Sequence, residues 1–189
     1  MMNLAEYRRT STRLADFLPW AALAGEGIVL NKDGSFQRTA RFRGPDLDSA
    51  VPAELVAVAG RLNNAFRRLG SGWAIFVEAQ RHGVGAYPAS RFPEPASALV
   101  DAERKADFEE DASHFESSYF LTFVYLPPAE DAARAESWLY EGKAANGLDP
   151  HEALRGFADR TDRVLQLIEN FMPECTWLDD GETLTYLHS

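Results

Sequence analysis

Apolar positions change their spacing several times along this chain, and each change marks an element. Between residues 3 and 18, Leu4, Tyr7, Leu14, Phe17 and Leu18 fall partly on one side of a helix, with Arg8, Arg9 and Arg13 on the other. Such a segment suits either a helix lying on a membrane surface or one docked on its own domain. Pro19 stops it, and Trp20 follows. From Gly27 the period shortens. Ile28-Val29-Leu30 is a short apolar run, Asn31-Lys32-Asp33-Gly34 carries an Asp-Gly turn signal, and Ser35 to Phe42 alternates around Phe36, Arg38, Ala40 and Phe42. Two short strands joined in this way predict a β-hairpin.

Gly44-Pro45-Asp46 breaks the second strand. Pro52 then takes the first position of a helix, with Asp48 or Ser49 nearby as cap. Leu55, Val58, Leu62, Ala65, Phe66 and Leu69 recur at helical spacing up to Gly70, while Arg61, Arg67 and Arg68 fall elsewhere on the wheel. Trp73 to Ala79 predicts a strand. The glycines and prolines of residues 82–97 predict a loop, and residues 98–115 a charged helix whose weak apolar side is Leu99, Ala102, Ala106 and Phe108. Tyr119 to Tyr125 reads as a buried strand closed by Pro127-Pro128, and residues 129–141 as a helix.

Asp149, Pro150 and Glu152 open a further helix with the stripe Leu154, Phe157, Thr161, Val164, Leu165, Ile168 and Phe171. A short strand at residues 175–178 and a helix capped near Asp179 complete the order. Only two turns of that helix remain, so the expectation is a helix cut from something longer. The succession predicts an α+β fold: a mixed or mostly antiparallel sheet with the hairpin near its N-terminus and helices mainly on one face. Residues 1–20 are expected to form an N-terminal helical segment and residues 21–189 a single domain.

With 189 residues, the chain can bury roughly 70% of its unfolded surface and needs no metal or disulfide to fold. Cys175 is the only cysteine, which rules out an internal disulfide. No run is long and apolar enough to span a bilayer, and the N-terminus lacks the apolar core of a secretory signal. The expectation is a cytoplasmic protein, held at a membrane only through a partner. The net charge of −10 is uneven: residues 1–91 carry 12 Lys/Arg against 8 Asp/Glu, and residues 92–189 carry 7 against 21. A chain this acidic is not expected to bind nucleic acid directly, since phosphate contacts need clustered Lys and Arg.

The sequence carries no recognisable catalytic motif. A phosphate-binding loop needs Gly-x-x-x-x-Gly-Lys-Ser/Thr, but Gly142-Lys143 is followed by Ala144 and preceded at the required point by Ser137. Three Gly-x-Gly pairs are followed at the third-glycine point of a dinucleotide fingerprint by Leu30, Ile75 and Pro88. His82, His114, His151 and His188 lie in no metal-ligand spacing, and Cys175 has no histidine near it in sequence. The acids Asp101, Glu103, Asp107, Glu109, Glu110, Asp111 and Glu116 read as a solvated helix face or a docking surface for a basic partner. Trp73, Phe76, Phe120, Phe123 and Tyr125 read as core rather than as a base-stacking platform.

Several stretches together resemble the N-terminal domain of the CagE/TrbE/VirB family of type IV secretion (conjugal transfer) ATPases, its TrbE branch above all. They are Leu18-Pro19-Trp20, Gly27 to Phe36, Phe42 to Leu47, Arg61 to Phe66 with Trp73 to Glu78, Phe120 to Phe123 with Pro127-Pro128, and Trp177-Leu178 with Leu184 to His188. The resemblance implies a docking and assembly domain ahead of a motor domain that is absent here. ATP and Mg are implied for that motor, and no catalytic, cofactor or metal residue carries over to this chain. The implied partners are inner-membrane components of the secretion channel, other copies of the ATPase and the chain's own motor domain. The implied location is the cytoplasmic face of the inner membrane. Arg8, Arg9, Arg13, Phe17 and Trp20 are the expected charge and aromatic anchors. The other reading is a small independent acidic enzyme or regulator, which requires a pocket lined by two or more of His82, His114, Glu109, Glu110 and Asp111.

Overall fold

The computed structural model of the chain describes residues 14–110, 114–127 and 150–189. The expected helix at 129–141 and the cap at Asp149 lie outside the described residues. The elements in chain order are α1 (Leu14–Phe17), β1 (Trp20–Gly25), β2 (Ile28–Asn31), β3 (Phe36–Arg43), α2 (Pro52–Phe66), β4 (Trp73–Val84), α3 (Pro95–Glu110), β5 (His114–Tyr125), α4 (Pro150–Glu169), β6 (Glu174–Trp177) and α5 (Asp180–Leu187).

Six strands form one sheet, five of them in the order β1-β2-β3-β5-β4 and β6 paired to β3, every described pair antiparallel. The hairpin of β2 and β3 forms where the Asp-Gly signal places it. Asp33 accepts from the Ser35 amide at 2.9 Å, and Gly34 adopts a left-handed φ of 81°. β3 is the hub of the sheet. One of its edges is shared by β2, opposite residues 36–38, and β6, opposite residues 40–43; β5 runs along the other edge.

Alternation along β3 sends Phe36, Arg38, Ala40 and Phe42 to one face. Their register partners Tyr125, Phe123, Leu121 and Tyr119 share it. α2 and α4 pack there, so that Ala65 and Leu69 meet Ala40, Leu121, Phe123, Val164, Leu165 and Ile168 in one core cluster. Phe157 of α4 fills a second cluster with Ile28, Leu30 and Phe36, and its ring stacks on Trp73 at 5.5 Å. The opposite face carries Thr39 and Thr122, hydrogen-bonded at 2.9 Å, and is covered by the short α5. The fold is the expected α+β, with its helical mass on one face.

Several boundaries differ from the sequence pattern; α3, for one, begins at Pro95, inside the segment expected as a loop. Trp20, expected to end the N-terminal segment, is the first residue of β1, whose Ala21, Ala22, Leu23 and Ala24 give no alternation to read. β4 continues through His82-Gly83-Val84, which the glycine and proline content assigns to a loop; cross-strand pairing to β5 overrides it. His114 and Phe115 belong to β5 rather than to the charged helix, which is described as far as Glu110. The α2 cap is Val51, whose amide donates to the Glu54 carboxylate at 3.0 Å, so neither Asp48 nor Ser49 caps this helix.

Candidate docking surfaces

Of the expected anchors, Arg8, Arg9 and Arg13 lie outside the described residues. Phe17 is 69% exposed, and Leu14, three residues before it and on the same side of one helical turn, is 74% exposed. Trp20 is not grouped with them. It is half-buried at the start of β1, with its ring edge-on to His188 at 5.9 Å, so it belongs to the fold.

α5 caps the second face of the sheet and borders an open groove of about 1120 Å³. Asp179 starts the helix by accepting from the Glu182 amide at 2.8 Å, while the Glu182 side chain accepts from the Asp179 amide. Asp180 reaches back to the Gly27 amide at 2.8 Å. Gly27 holds a φ of 63°, and a Cβ there would collide with the Leu178 carbonyl oxygen. Glu182 pairs with Arg41 at 2.8 Å across the groove floor. The Tyr186 ring packs on Phe120, and its hydroxyl donates to Glu78 at 2.9 Å. Burial pushes this phenol above its ordinary pKa, the hydrogen bond from Thr122 opposes the shift, and Glu78 adds to it. Burial likewise pushes the Cys175 thiol up to about 11, with Glu169 adding to the shift. A thiol so placed is not a nucleophile near neutral pH.

Among the described residues, those of the enzyme reading do not assemble a site. His114 stacks face to face on Phe108, centroids 3.7 Å apart, with Nε2 at 2.8 Å from the Phe108 carbonyl. Glu109 reaches Lys105 at 3.7 Å in an exposed pair. His82 faces its cross-strand partner Glu116 in the α5 groove, and Asp111 lies outside the described residues. Among the described residues no three His, Cys, Asp or Glu side chains come together as metal ligands. Phe123 is fully buried as core and Phe120 nearly so, but Phe76, expected beside them, is 57% exposed on the α5 face of β4.

A second concavity runs between α2 and α4 on the opposite side of the molecule. One part, of about 610 Å³, is lined by Arg68, Arg160 and Arg163 over Leu69, Val164 and Leu167. The adjoining part, of about 340 Å³, adds Arg61 and Phe171. No carboxylate lines either part, and among the described residues none of these four arginines is in an ion pair. The sequence hides this groove because its two halves are about a hundred residues apart. The signal present is the placement of Arg61 and Arg68 off the apolar stripe of α2, matched by Arg160 and Arg163 on α4.

Residues 27–133 match the family model described as "Type IV secretion system ATPase VirB4/TrbE, N-terminal domain". The chain belongs to this family, as the N-terminal region of a VirB4/TrbE-type conjugal transfer ATPase. A relative from Rhizobium radiobacter, described as "Conjugal transfer protein TrbE", is 34% identical over 174 residues, covering 90% of this chain and 21% of its own length. Another, from Sinorhizobium fredii (strain NBRC 101917 / NGR234), is described as the first portion of a "Probable conjugal transfer protein TrbE". It is 39% identical over 130 residues, 67% of this chain and 87% of its own length. The chain thus spans about a fifth of the first relative and most of the second. Among the described residues no helix is long and apolar enough to cross a membrane.

Proposed function

We propose that this chain is the docking and assembly domain of a conjugal transfer ATPase. In this role it ties the motor to inner-membrane components of a type IV secretion channel and to neighbouring ATPase copies. The observation that carries the reading is the pair Leu14 and Phe17. These two large apolar side chains, one turn apart, stand in water immediately before β1 and cover nothing in the described fold. Beside them in sequence lie Arg8, Arg9 and Arg13, the charge pattern that suits an anionic surface. The sequence carries no phosphate loop that would cradle ATP. In this reading nucleotide chemistry belongs to the motor of the ATPase, and the peripheral inner-membrane location follows from the docking role.

The test is co-sedimentation of the full chain with inner-membrane vesicles from cells carrying the transfer system. Leu14→Ser with Phe17→Ser, and separately deletion of residues 1–17, should abolish association while circular dichroism and urea unfolding stay unchanged. The deletion stops before Trp20, because removing that residue would cut into β1. Association that survives both changes would overturn the reading.

A further inference from the structure

The acidic helix α3 and the arginine groove between α2 and α4 are complementary. α3 leans on the β4–β5 ribbon by one side only. Phe108 stacks on His114 and meets Tyr87 at 5.5 Å, and Tyr87 donates its hydroxyl to Asp101 at 2.8 Å. That hydrogen bond is the first cause of the raised Tyr87 pKa. No residue of α3 is buried. At 100° per residue, the side opposite Asp101 and Phe108 carries Leu99, 64% exposed, with Glu103 and Glu110, and Asp107 and Val100, the latter 52% exposed, flank it. Nothing in the described fold covers this mixed apolar and acidic stripe. The groove between α2 and α4 presents the inverse: Leu167 and Phe171 half-exposed along its floor, and Arg61, Arg68, Arg160 and Arg163 along its walls.

The spacings agree as well. Glu103 and Asp107 are about 6 Å apart along the α3 axis, and Arg160 and Arg163 about 4.5 Å along α4, so two acids of one helix address two arginines of the other within a single turn. We propose that the occupant of the groove is a second copy of this chain, which lays the free side of α3 between α2 and α4 of its neighbour. The contact is head to tail, because the donating and receiving surfaces differ, and it leaves the donor with a free groove and the acceptor with a free α3. The proposal names a partner within the docking role above and rests on that reading. The groove alone, with four guanidinium groups that no described carboxylate neutralises, is open to any anion. What selects the second copy is the pairing of apolar floor with apolar stripe, which a phosphate backbone does not offer.

Sedimentation velocity on the full chain, across a concentration series at low and high salt, tests the contact. Wild type should self-associate reversibly and more weakly at high salt. Arg160→Ala with Arg163→Ala, and separately Glu103→Gln with Asp107→Asn, should each weaken association at least about tenfold while remaining folded by circular dichroism. An equimolar mixture of the two variants should form one-to-one pairs that grow no further, because each retains the surface that the other has lost. Neutral replacements are chosen so that no new attraction forms between the altered surfaces.

A wild-type chain that stays monomeric, a variant that associates as tightly as wild type, or a mixture that fails to pair would overturn the proposal. So would a groove variant that loses affinity for a single-stranded DNA oligonucleotide while still self-associating. A monomeric chain that nevertheless binds inner-membrane vesicles would overturn this contact and leave the docking reading standing.

Discussion

Replacing Asp162 with alanine should destabilise the domain by about 2–3 kcal/mol, through groups that the residue leaves behind. Arg38 lies on the helix side of the sheet with its side chain only 12% exposed, and its Nη1 donates to Asp162 Oδ1 at 2.7 Å. The same oxygen accepts from Trp177 Nε1 at 2.8 Å, and the guanidinium lies over the Trp177 ring at 4.1 Å. Breaking a fully buried pair costs about 3–5 kcal/mol because the remaining charge is stranded. Asp162 is 44% exposed, so water replaces part of the lost attraction and the cost falls below that range. A hydrogen bond to a charged group contributes about 1.5–3 kcal/mol and the indole bond about 0.5–1.5, which brackets the expectation when water offsets part of both.

For a domain of this size the loss corresponds to a drop of about 4–12 °C in Tm. The assay is urea unfolding followed by tryptophan fluorescence, with the midpoint falling and the m-value unchanged. Glu109→Gln, which removes the exposed pair with Lys105, is the control and should shift stability by less than about 0.5 kcal/mol. Arg38→Met combined with Asp162→Leu should be less harmful than Asp162→Ala alone, since no charge is then left unpaired. An Asp162→Ala variant indistinguishable from the control would refute the reasoning.

Further outcomes follow from particular side chains. Phe123→Ala should cost about 3–5 kcal/mol in urea unfolding, while Phe76→Ala on the exposed part of β4 should cost under about 1, although both aromatics lie on neighbouring strands. Gly27→Ala should destabilise strongly, and its midpoint should not recover on lengthening the adjacent turn, because the new Cβ runs into the Leu178 carbonyl from a left-handed conformation. Cys175 holds its proton more tightly when folded, so its contribution to stability is full below pH 9 and is lost as pH rises from 9 towards about 11. Thiol-disulfide exchange reagents at pH 8 should accordingly modify it slowly in the native chain and rapidly in urea.

The hairpin at β2 and β3 is legible in the sequence because an Asp-Gly turn and period-2 alternation agree there, and α4 because its stripe runs unbroken from Leu154 to Phe171. β1 is not, since Ala21 to Ala24 carry no contrast between faces, and the outer half of β4 is masked by its own glycine. In both, the strand forms because a neighbour supplies the hydrogen bonds, which no local pattern records. Trp20 has the composition of an anchor and is instead held by a contact to His188, 168 residues later. The family likeness is readable in scattered short matches. The arginine groove is not, because it exists only once α2 and α4 are laid side by side.

The shared edge of β3 also bears on how the chain is made. Residues 36–38 pair with β2 within a few residues of synthesis, but Ala40 to Arg43 must wait for Glu174 to Trp177 before their backbone is paired on that edge. The family-matched stretch ends at residue 133, before Phe157, Val164, Leu165, Ile168 and Cys175 have been added to the interior. A nascent chain of that length would present an unpaired strand edge beside a half-built core, the combination that favours aggregation. Ribosomal delivery of α4 and β6 is thus the step that commits this domain to its native state, and a stop or cut between residues 133 and 174 should yield insoluble product rather than a smaller working module.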